Sequence, residues 1–523
     1  MRTAAPYVVE VGGVEGPITV EGLAGLLDRQ ARVRPHSRAL VVPGSPSPQP
    51  PSQPLSQPSW PLSYRTLDSL ADQTAGHLTK AGLRPGDLLG LVAGNTAEFV
   101  VALLGAARTG VAVAPLDPAL PDHELRARVR ALGVRAVLGE GAGEWTLRVR
   151  PDTVDFRPGP LSDERVARTV RPGDALVLFT AGTTRRARMV PLTHANAAAS
   201  VRNICACYRL GPDDATVAVM PFFHGHGLFA TLLSSLASGG CVLLPTGGRF
   251  AAETFWADLR AVDATWFTAV PTVHELLLDR SEADDPAAPP PPPLRFVRSC
   301  GAPLNAATQR ALERMFGAPL LSAYGMTEAA HQVASEPLPS YGPLKHGTVG
   351  RATGVRLRVV DQHGQRCPAG VRGEVWVQGP TVARGYLARP ADTARGFTDG
   401  WLRTGDLGSL DADGYLSLTG RIESLILRGG RKISPEYVED VLAGCPSVAE
   451  AAVFAVPDAV DGQHLGAAVV VRGEECAGPE EILRYCRERL AAAAVPDRIV
   501  LVSALPRTAQ GGLDRLAVRD RYA

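Results

Sequence analysis

Lysine is nearly absent from this 523-residue chain: only Lys80, Lys345 and Lys432 stand among its 54 basic residues. The acidic residues number 53, so the net charge is +1 and no strong field favours nucleic acid as a partner. No apolar run approaches the roughly 18 residues of a membrane-spanning helix. The amino-terminal stretch also lacks the apolar core of a signal peptide. We therefore expect a cytoplasmic protein with neither a nucleic acid nor a membrane as partner.

Close cysteine pairs are also scarce, although the chain has eight cysteines. Cys205 and Cys207 form one CxC pair, but no second close pair completes a zinc site. The cysteines are therefore expected to be free, buried thiols. Hydrophobic residues make up 45% of the chain and charged residues 20%, as in globular proteins. A chain of this length should divide into two or more domains.

The hydrophobic pattern indicates an α/β fold. The stretch "LLGLVAGNTAEFVVALLGAARTGVAVAPLDP" (88–118) predicts a strand, a helix and a strand, and similar units extend over residues 20 to 140. Repeated units of this kind favour parallel sheets covered by helices. Short β segments from "VGRATGVRLRVVD" to "GYLSLTG" predict a small β-barrel-like part.

The pattern after residue 420 differs, because two helix–strand units there predict a smaller α+β domain. We place the domains at residues 1–420 and 421–523. A Pro/Ser-rich segment, Gly44–Ser63, is expected to be a disordered, exposed loop within the first domain. Its prolines leave a second reading open, a ligand for a proline-recognition domain.

The stretch "LVLFTAGTTRRARMVPLTHANAAAS" (176–200) carries the first chemical signal. An apolar strand runs into a Thr/Gly-rich turn that is followed by three arginines. Hydroxyls, exposed backbone N–H groups and cations on one turn suit a polyphosphate. The spacing is not that of a GxxxxGK[ST] phosphate loop.

Four further stretches follow in order: "PFFHGHG" (221–227), "SAYGMTEAAH" (322–331), "WLRTGDLG" (401–408) and "GRIESLILRGGRKISPEYVE" (420–439). With these five motifs the chain resembles the adenylate-forming superfamily, of the acyl-CoA synthetase type, over nearly its whole length. The run "GRFAAETFWADLRAVDATWFTAVPTVHELLLDR" and the stretches "LRFVRSC" and "FGAPLLSAYGMTEAAH" are most similar to oxalate–CoA ligases. The resemblance implies a large amino-terminal domain and a small, mobile carboxy-terminal domain. It also implies an ATP-dependent ligase that joins a small carboxylic acid to CoA through acyl-AMP.

The resemblance further implies an ATP pocket. The loop 180–188 would hold the β- and γ-phosphates, Tyr324 would stack on adenine, and Asp406 would accept the ribose hydroxyls. Arg421 would contact ribose or phosphate. The remaining nucleotide contacts implied are Thr180, Gly182, Thr183, Thr184 and Arg188 in the loop, and Gly301, Ala302 and Pro303 beside adenine.

The other implied roles concern catalysis, the acid and CoA. Thr327 would bind the α-phosphate, and Glu328 would hold Mg²⁺. His224 would border the acyl pocket, where His331 and Gly301 would contact the acid. Two positions serve the small domain: Glu423 would act at its hinge, and Lys432 would face the pantetheine tunnel of CoA.

The phosphate loop departs from the usual TSGTTGxPKG pattern. Arg185 and Met189 replace two glycines, and Ala181 and Ala187 replace a serine and a proline. The loop should be stiffer, since glycine freedom is lost. Arg188 keeps the positive charge of the usual lysine, a mild change in a chain so poor in lysine.

The sharper departure is "PRTAQGGLDR" (506–515), where relatives read PRTxxGKIxR. The lysine that bridges acid and α-phosphate during adenylation is replaced by Gly512. Loss of one preorganised charge donor commonly costs about 10²–10³ in rate. The thioester half-reaction uses the opposite face of the small domain and should be less affected. Arg507 or Arg515 is our hypothesis for a replacement cation.

A third departure concerns the acid. Oxalate-type relatives tend to carry serine where this chain has Gly301, so we expect an acid larger or less charged than oxalate. The acid, the acceptor (CoA, a carrier protein or an amine) and the oligomeric state stay open. Two alternatives to the ligase also stay open: an enzyme on the same scaffold with an altered half-reaction, unusual acid or amine acceptor, and a non-catalytic nucleotide-binding protein.

Overall fold

The computed structural model describes residues 20–44, 59–139, 144–162, 170–180, 187–281, 292–428, 431–458, 462–472, 478–507 and 513–523. Predictions for Gly182, Thr183, Thr184 and Gly512 lie outside these ranges, as do those for the side chains of Glu423 and Lys432. Most of the expected Pro/Ser-rich loop lies outside them too. Its last four residues, however, form a strand, so the prediction of a loop through Ser63 was wrong at that end.

The helices of the described residues, in chain order, are α1 (Asp28–Val33), α2 (Tyr64–Lys80), α3 (Ala97–Arg108), α4 (Asp122–Leu132), α5 (His194–Tyr208), α6 (Ser234–Ser238), α7 (Phe255–Ala261), α8 (Pro271–Ser281), α9 (Ala306–Phe316), α10 (Pro390–Gly396), α11 (Pro435–Ala443), α12 (Pro479–Arg487) and α13 (Arg515–Tyr522). A π-helix covers His226–Leu233. Short 3₁₀ turns cover Thr246–Gly248, Thr327–Ala329, Pro339–Tyr341, Ile422–Ser424 and Ala492–Ala494.

The strands of the described residues are β1 (Arg38–Val42), β2 (Trp60–Ser63), β3 (Leu88–Val92), β4 (Ala112–Leu116), β5 (Ala136–Leu138), β6 (Thr146–Val149), β7 (Val154–Arg157), β8 (Asp174–Phe179), β9 (Met189–Thr193), β10 (Ala215–Val217), β11 (Cys241–Leu243), β12 (Trp266–Ala269), β13 (Phe296–Cys300), β14 (Leu320–Met326), β15 (His331–Ser335), β16 (Arg351–Ala352), β17 (Arg356–Val360), β18 (Gly373–Gln378), β19 (Phe397–Thr398), β20 (Trp401–Leu410), β21 (Leu416–Arg421), β22 (Ile426–Arg428), β23 (Arg431–Ile433), β24 (Val448–Asp458), β25 (Gly462–Val471) and β26 (Arg498–Leu501).

Two five-stranded sheets of the large amino-terminal domain position the site. One has the order β5-β3-β4-β8-β9 and the other β12-β13-β14-β15-β16. Within each, the first strands are parallel and the last are antiparallel: β8 pairs with β9, and β14 with β15, in opposite directions. The predicted strand–helix–strand unit at residues 88–118 is confirmed as β3, α3 and β4.

The helix α3 shows why this sequence packs as it does. Nearly every residue from Ala97 to Ala107 is buried, so the helix is apolar on all sides. The Thr96 hydroxyl caps its start by accepting from the Phe99 amide. Gly105 lets α2 approach closely, because a Cβ at that position would lie 2.8 Å from the side chain of Thr74.

The smaller parts follow the sequence pattern. β17, β18, β20, β19 and β21 pair antiparallel in one sheet, the β part expected from the short segments. Beyond it, β24-β25-β26 and α11–α13 enclose hydrophobic clusters built from residues 426–522 alone. A mixed α/β chain with a large first domain and a smaller second one is therefore confirmed. The exact boundary after residue 420 stays a prediction.

Two further findings concern the cysteines and the helices. The seven cysteines in the described part of the chain are free, and five of them are buried. Among the described helices, not one combines the length and the apolar character that a bilayer crossing requires.

Candidate active site

The carboxyl ends of the parallel strands meet at one cavity of about 840 Å³. β12 is followed by Val270, β13 by Gly301 and β14 by Thr327, and all three residues line the cavity. The end of β8 reaches the same place from the other sheet through Thr180. Crevices outside the carboxyl ends of parallel strands are where open α/β sheets bind ligands.

Most of the motif residues converge on this cavity, although they lie far apart in the chain. The predicted residues that line it are Thr180, Arg188, His224, Gly301, Ala302, Thr327, Glu328, His331, Arg421 and Arg515. Pro303 and Arg507 are described but do not line it. Tyr324 and Asp406 lie just behind its wall, where Asp406 contacts the lining residue Arg421.

The carboxylate of Asp406 is buried and held by two protein donors. Arg421 Nε lies 2.8 Å from Oδ1, and the Tyr324 hydroxyl donates to Oδ2. Burial and then the Asp406 charge raise the pKa of Tyr324 well above its ordinary value, so this hydroxyl remains a donor. Asp406, Tyr324 and Arg421 therefore act as one polar unit behind the cavity wall.

Glu328 belongs to a second polar unit. Its Oε1 accepts from the Tyr386 hydroxyl at 2.8 Å, and Arg188 Nη1 reaches that hydroxyl oxygen at 3.4 Å. The Arg188 guanidinium also lies over the Tyr386 ring, 5.1 Å from its centroid. Sequence reasoning missed Tyr386, which lies in "ARGYLARP" outside the recognised motifs. The structure thus joins the phosphate-loop arginine to the predicted metal ligand through a tyrosine.

The histidines of the cavity are neutral. Burial lowers the pKa of His224 to about 4, and its Nε2 is a buried nitrogen with no hydrogen-bond partner in the described part of the chain. Burial, followed by the charge of Arg298, lowers the pKa of His331 well below its ordinary value. His331 has a φ of 82°, a backbone conformation that non-glycine residues rarely adopt. Strained residues of this kind cluster at functional sites.

A buried arginine behind these histidines was not predicted as a site residue from the sequence. Arg298 lies in β13 with no exposed surface, and its guanidinium donates to the rings of His226 and His331. The available signal was a charged residue inside the apolar strand "LRFVRSC", a position where arginine is rarely buried without a partner.

The small domain closes one side of the cavity with residues Leu513 to Leu516. Arg515 lines the cavity, but its guanidinium is held by both oxygens of Glu439 at 2.7 and 2.6 Å. Arg507 instead forms an ion pair with Glu450 at 2.7 Å. Both guanidinium groups are thus engaged in ion pairs, and the hypothesis that one of these arginines replaces the lysine stays a prediction.

The chemistry of the donors fits Mg²⁺. Glu328 supplies a carboxylate and Thr327 a hydroxyl at the cavity, both hard oxygen ligands. Within the described ranges, no group of three or more His, Cys, Asp or Glu residues could hold a metal ion alone. This suits Mg²⁺, which proteins usually bind through one or two carboxylates together with substrate phosphates.

Fold and cavity define a two-domain α/β protein with a binding crevice at the carboxyl ends of its parallel strands. Residues 27–387 match the AMP-binding enzyme family, and residues 437–511 match the AMP-binding enzyme C-terminal domain. The chain belongs to the family of AMP-binding enzymes.

Comparison with similar proteins narrows the class of enzyme within this family. The oxalate–CoA ligase of Arabidopsis thaliana is 39% identical over 527 residues, 96% of this chain and 98% of the relative. The sulfoacetate–CoA ligase of Cupriavidus necator is 33% identical over 473 residues, 87% of this chain and 91% of the relative. ATP-bound MatB from Rhodopseudomonas palustris superposes with a TM-score of 0.80 at 28% identity, covering 95% of this chain and 99% of that one.

These findings confirm the predicted class. The chain is an AMP-forming acid–CoA ligase that uses ATP, Mg²⁺ and CoA and acts through an acyl-AMP intermediate. The relatives named above act on small carboxylic acids, oxalate and sulfoacetate. The role of each site residue is a separate matter and remains a proposal.

Proposed function

We propose that this enzyme activates a small acid at the 840 Å³ cavity and divides the two half-reactions between two positions of its small domain. The observation that supports this proposal is that residues of separate motifs line the same cavity. Residues far apart in the chain line one cavity, together with the segment Leu513 to Leu516 that follows Gly512: they include Thr180, Arg188, His224, Gly301, Ala302, Thr327, Glu328, His331 and Arg421.

In the first half-reaction, a carboxylate oxygen of the acid attacks the α-phosphorus of ATP in line, and the bond from that phosphorus to pyrophosphate breaks. We assign the α-phosphate to the Thr327 hydroxyl and the ribose to the unit of Asp406, Tyr324 and Arg421. Mg²⁺ would be held by Glu328 and supplies neutralisation of phosphate charge when bound. Tyr386 orients the Glu328 carboxylate through its 2.8 Å hydrogen bond.

We assign the remaining nucleotide contacts to other residues that line the cavity. We assign Gly301 and Ala302, which line the cavity, to the adenine, and Arg188, which lines it too, to the terminal phosphates. His224 is neutral at pH 7, so it contributes a polar but uncharged wall to the acyl pocket. The phosphate-binding roles of Gly182, Thr183 and Thr184 stay predictions.

In the second half-reaction, the acyl group passes from AMP to the CoA thiol after the small domain rotates. We assign the hinge to the turn that contains Glu423, which follows the last strand of the large domain. Lys432 lies in the hairpin of β22 and β23, and its assignment to the pantetheine tunnel stays a prediction. The expected cytoplasmic location also stays a prediction.

Gly512 should make the first half-reaction slow rather than absent. The ion pairs of Arg515 with Glu439 and of Arg507 with Glu450 leave the missing ammonium without an evident substitute. These pairs favour one alternative, an enzyme on the same scaffold that receives a preformed acyl-AMP and performs the thioester step.

The test is acid-dependent ATP–pyrophosphate exchange across small dicarboxylic, aliphatic and aromatic acids, for wild type and Gly512→Lys. We expect exchange in both proteins, faster in Gly512→Lys by roughly 10²-fold because a positioned charge donor returns. Gly76→Lys is the matched control: it adds a lysine on an exposed helical glycine with nothing within 4 Å, and should exchange like wild type.

The outcomes separate the alternatives. Exchange in Gly512→Lys alone, with wild type converting synthetic acyl-AMP and CoA to product, would identify the thioester-only enzyme. Nucleotide binding without exchange or thioester formation in either protein, over the whole acid panel, would contradict the proposal and favour the binding protein.

A further inference from the structure

A fully buried positive charge lies directly behind the acid side of the cavity. Arg298 has no exposed surface, and its five N–H donors meet five acceptors. These acceptors are the Tyr208 hydroxyl at 2.8 Å, His226 Nε2 and the Thr268 hydroxyl at 3.0 Å, His331 Nε2 at 3.0 Å and Gln332 Oε1 at 3.1 Å.

Every one of these acceptors is uncharged. The hydrogen bonds are therefore complete, whereas no carboxylate among the described residues pairs with the charge of the guanidinium. The other titratable groups that face this cluster are Cys207, Tyr208, His224, His274 and Cys300, and burial shifts the pKa of each toward its neutral form. A buried charge of this kind is costly unless something compensates it.

The contacts also fix the protonation of two rings. A guanidinium has no acceptor, so His226 Nε2 and His331 Nε2 must accept from it and cannot carry a proton. The proton of each neutral ring is then on Nδ1. The two rings are stacked with centroids 5.0 Å apart, and both line the cavity. Two Nδ1–H donors are thereby fixed side by side in front of a buried cation.

We propose that Arg298 is a positioning residue that selects acids carrying a second anionic group. It acts through His226 and His331: it holds their tautomers, and it supplies from behind them the positive charge that a distal carboxylate or sulfonate neutralises. The inference rests on the proposed function, because it assumes that the acid binds at this cavity.

This assignment refines the expectation drawn from Gly301. The missing serine hydroxyl argued for an acid that is larger or less charged than oxalate. A fixed charge behind the histidine pair favours the first of these, a longer acid that keeps both negative groups.

The test compares matched acids by calorimetric binding to the full-length protein. Malonate and succinate are paired with propionate and butyrate, in which a methyl group replaces one carboxylate. We expect wild type to favour each dianion by about 30-fold or more, since unpairing a buried charge is expensive. Arg298→Met should reduce that preference to within about threefold, while Arg298→Lys keeps part of it.

Two further readouts separate charge from packing. Tyr208→Phe removes one acceptor of Arg298 but keeps the charge, so its preference for dianions should stay within about threefold of wild type. In Arg298→Met the histidine pKa values should rise, because the charge of Arg298 no longer lowers them while burial still does, so protonation at lower pH can replace part of the lost charge. Dianion binding by that variant should therefore strengthen between pH 8 and pH 6, whereas wild-type binding stays flat.

Three results would overturn the inference: equal wild-type affinity for malonate and propionate, a parallel loss for both acids in Arg298→Met, or the same collapse of preference in Tyr208→Phe. The proposed function fails separately. Exchange with monoanionic acids, without a preference for dianions, would support the proposed ligase reaction and contradict the role of Arg298. Selective binding of dianions, without exchange or thioester formation, would support the role of Arg298 and contradict the proposed half-reactions.

Discussion

At the scale of single residues, Asp406 is the group whose chemistry is most constrained by its neighbours. Only 4% of its surface is exposed, and its two oxygens accept from Arg421 and Tyr324. In Asp406→Asn the amide group would place a donor against one of these donors. We expect the KM for ATP to rise by about 10- to 100-fold, because a buried donor is left unpaired and a charge-assisted hydrogen bond is lost.

The measurement is the KM for ATP at saturating acid, together with the KM for the acid at saturating ATP. Asp413→Asn serves as the control, since Asp413 pairs with Lys345 and its side chain is 63% exposed. That variant should leave both values unchanged. An equal rise of both KM values in Asp406→Asn would point to general loss of structure and contradict a specific nucleotide role.

Gly301 shows where residue-level prediction from the sequence succeeds and where it stops. The motif located it beside the acid and the nucleotide, and the structure brings it to the cavity wall. The motif carried no information on its backbone, which has a φ of +102°, or on Val270, whose Cγ1 would lie 3.2 Å from an added Cβ. A serine at this position would therefore be strained here, whatever hydrogen bond its hydroxyl could offer.

At the scale of elements, motif order predicted which chain segments meet, because motif residues such as Thr180 and Thr327 directly follow strands whose carboxyl ends face one crevice. Pairings within those segments were not predictable. Tyr386 reaches Glu328, and Arg298 reaches His226 and His331, through contacts between segments that are distant in the chain and leave no local pattern. The antiparallel strand β25 was likewise missed in the small domain, where the sequence indicated helix–strand units alone.

The small domain offers an element-scale prediction in the contact of α11 with α13 and β24. The Glu439 carboxylate in α11 accepts from both ends of Arg515 and from the Val453 amide at 2.7 Å. In Glu439→Gln one oxygen becomes an amide that faces a guanidinium. We expect the small domain to lose roughly 2–4 kcal/mol of stability, somewhat less than a fully buried pair would cost.

Hydrogen exchange is the suitable measurement, since it resolves the small domain within the whole chain. Amides of α11 and β24 should lose protection in Glu439→Gln, while amides of β3 and β4 in the large domain keep it. Asp520→Asn in α13 is the control, because Asp520 pairs with Arg519 at the surface and both are more than half exposed. Unchanged protection in Glu439→Gln would show that this contact does not hold the three elements together.

At the scale of the whole molecule, the two domains meet closely at Gly420. The Ser434 hydroxyl at the start of α11 donates to the Thr419 carbonyl at 2.7 Å, and a Cβ on Gly420 would lie 2.2 Å from that Ser434 oxygen. In this arrangement Leu513 to Leu516 line the cavity, so the segment after Gly512 borders the acid and nucleotide. We take this arrangement as the one that serves adenylation.

Gly420→Ala should therefore disfavour adenylation selectively. The added methyl group cannot coexist with Ser434 in this arrangement, whereas a rotated small domain would remove Ser434 from it. We expect acyl-AMP formation to fall by roughly 5- to 150-fold, corresponding to a strain of 1–3 kcal/mol, and thioester formation from supplied acyl-AMP to stay within about threefold. Single-turnover assays of the two half-reactions measure this directly.

Gly414→Ala separates the contact between domains from backbone strain. Both glycines have a positive φ, 135° at Gly420 and 82° at Gly414, but nothing lies within 4 Å of a Cβ added to Gly414, so only the conformational cost is shared. In Gly414→Ala, the rates of both half-reactions should change little and by a similar factor. If Gly420→Ala also slows both half-reactions equally, the domain contact does not distinguish them, and the small domain keeps one position relative to Gly420 through the whole reaction.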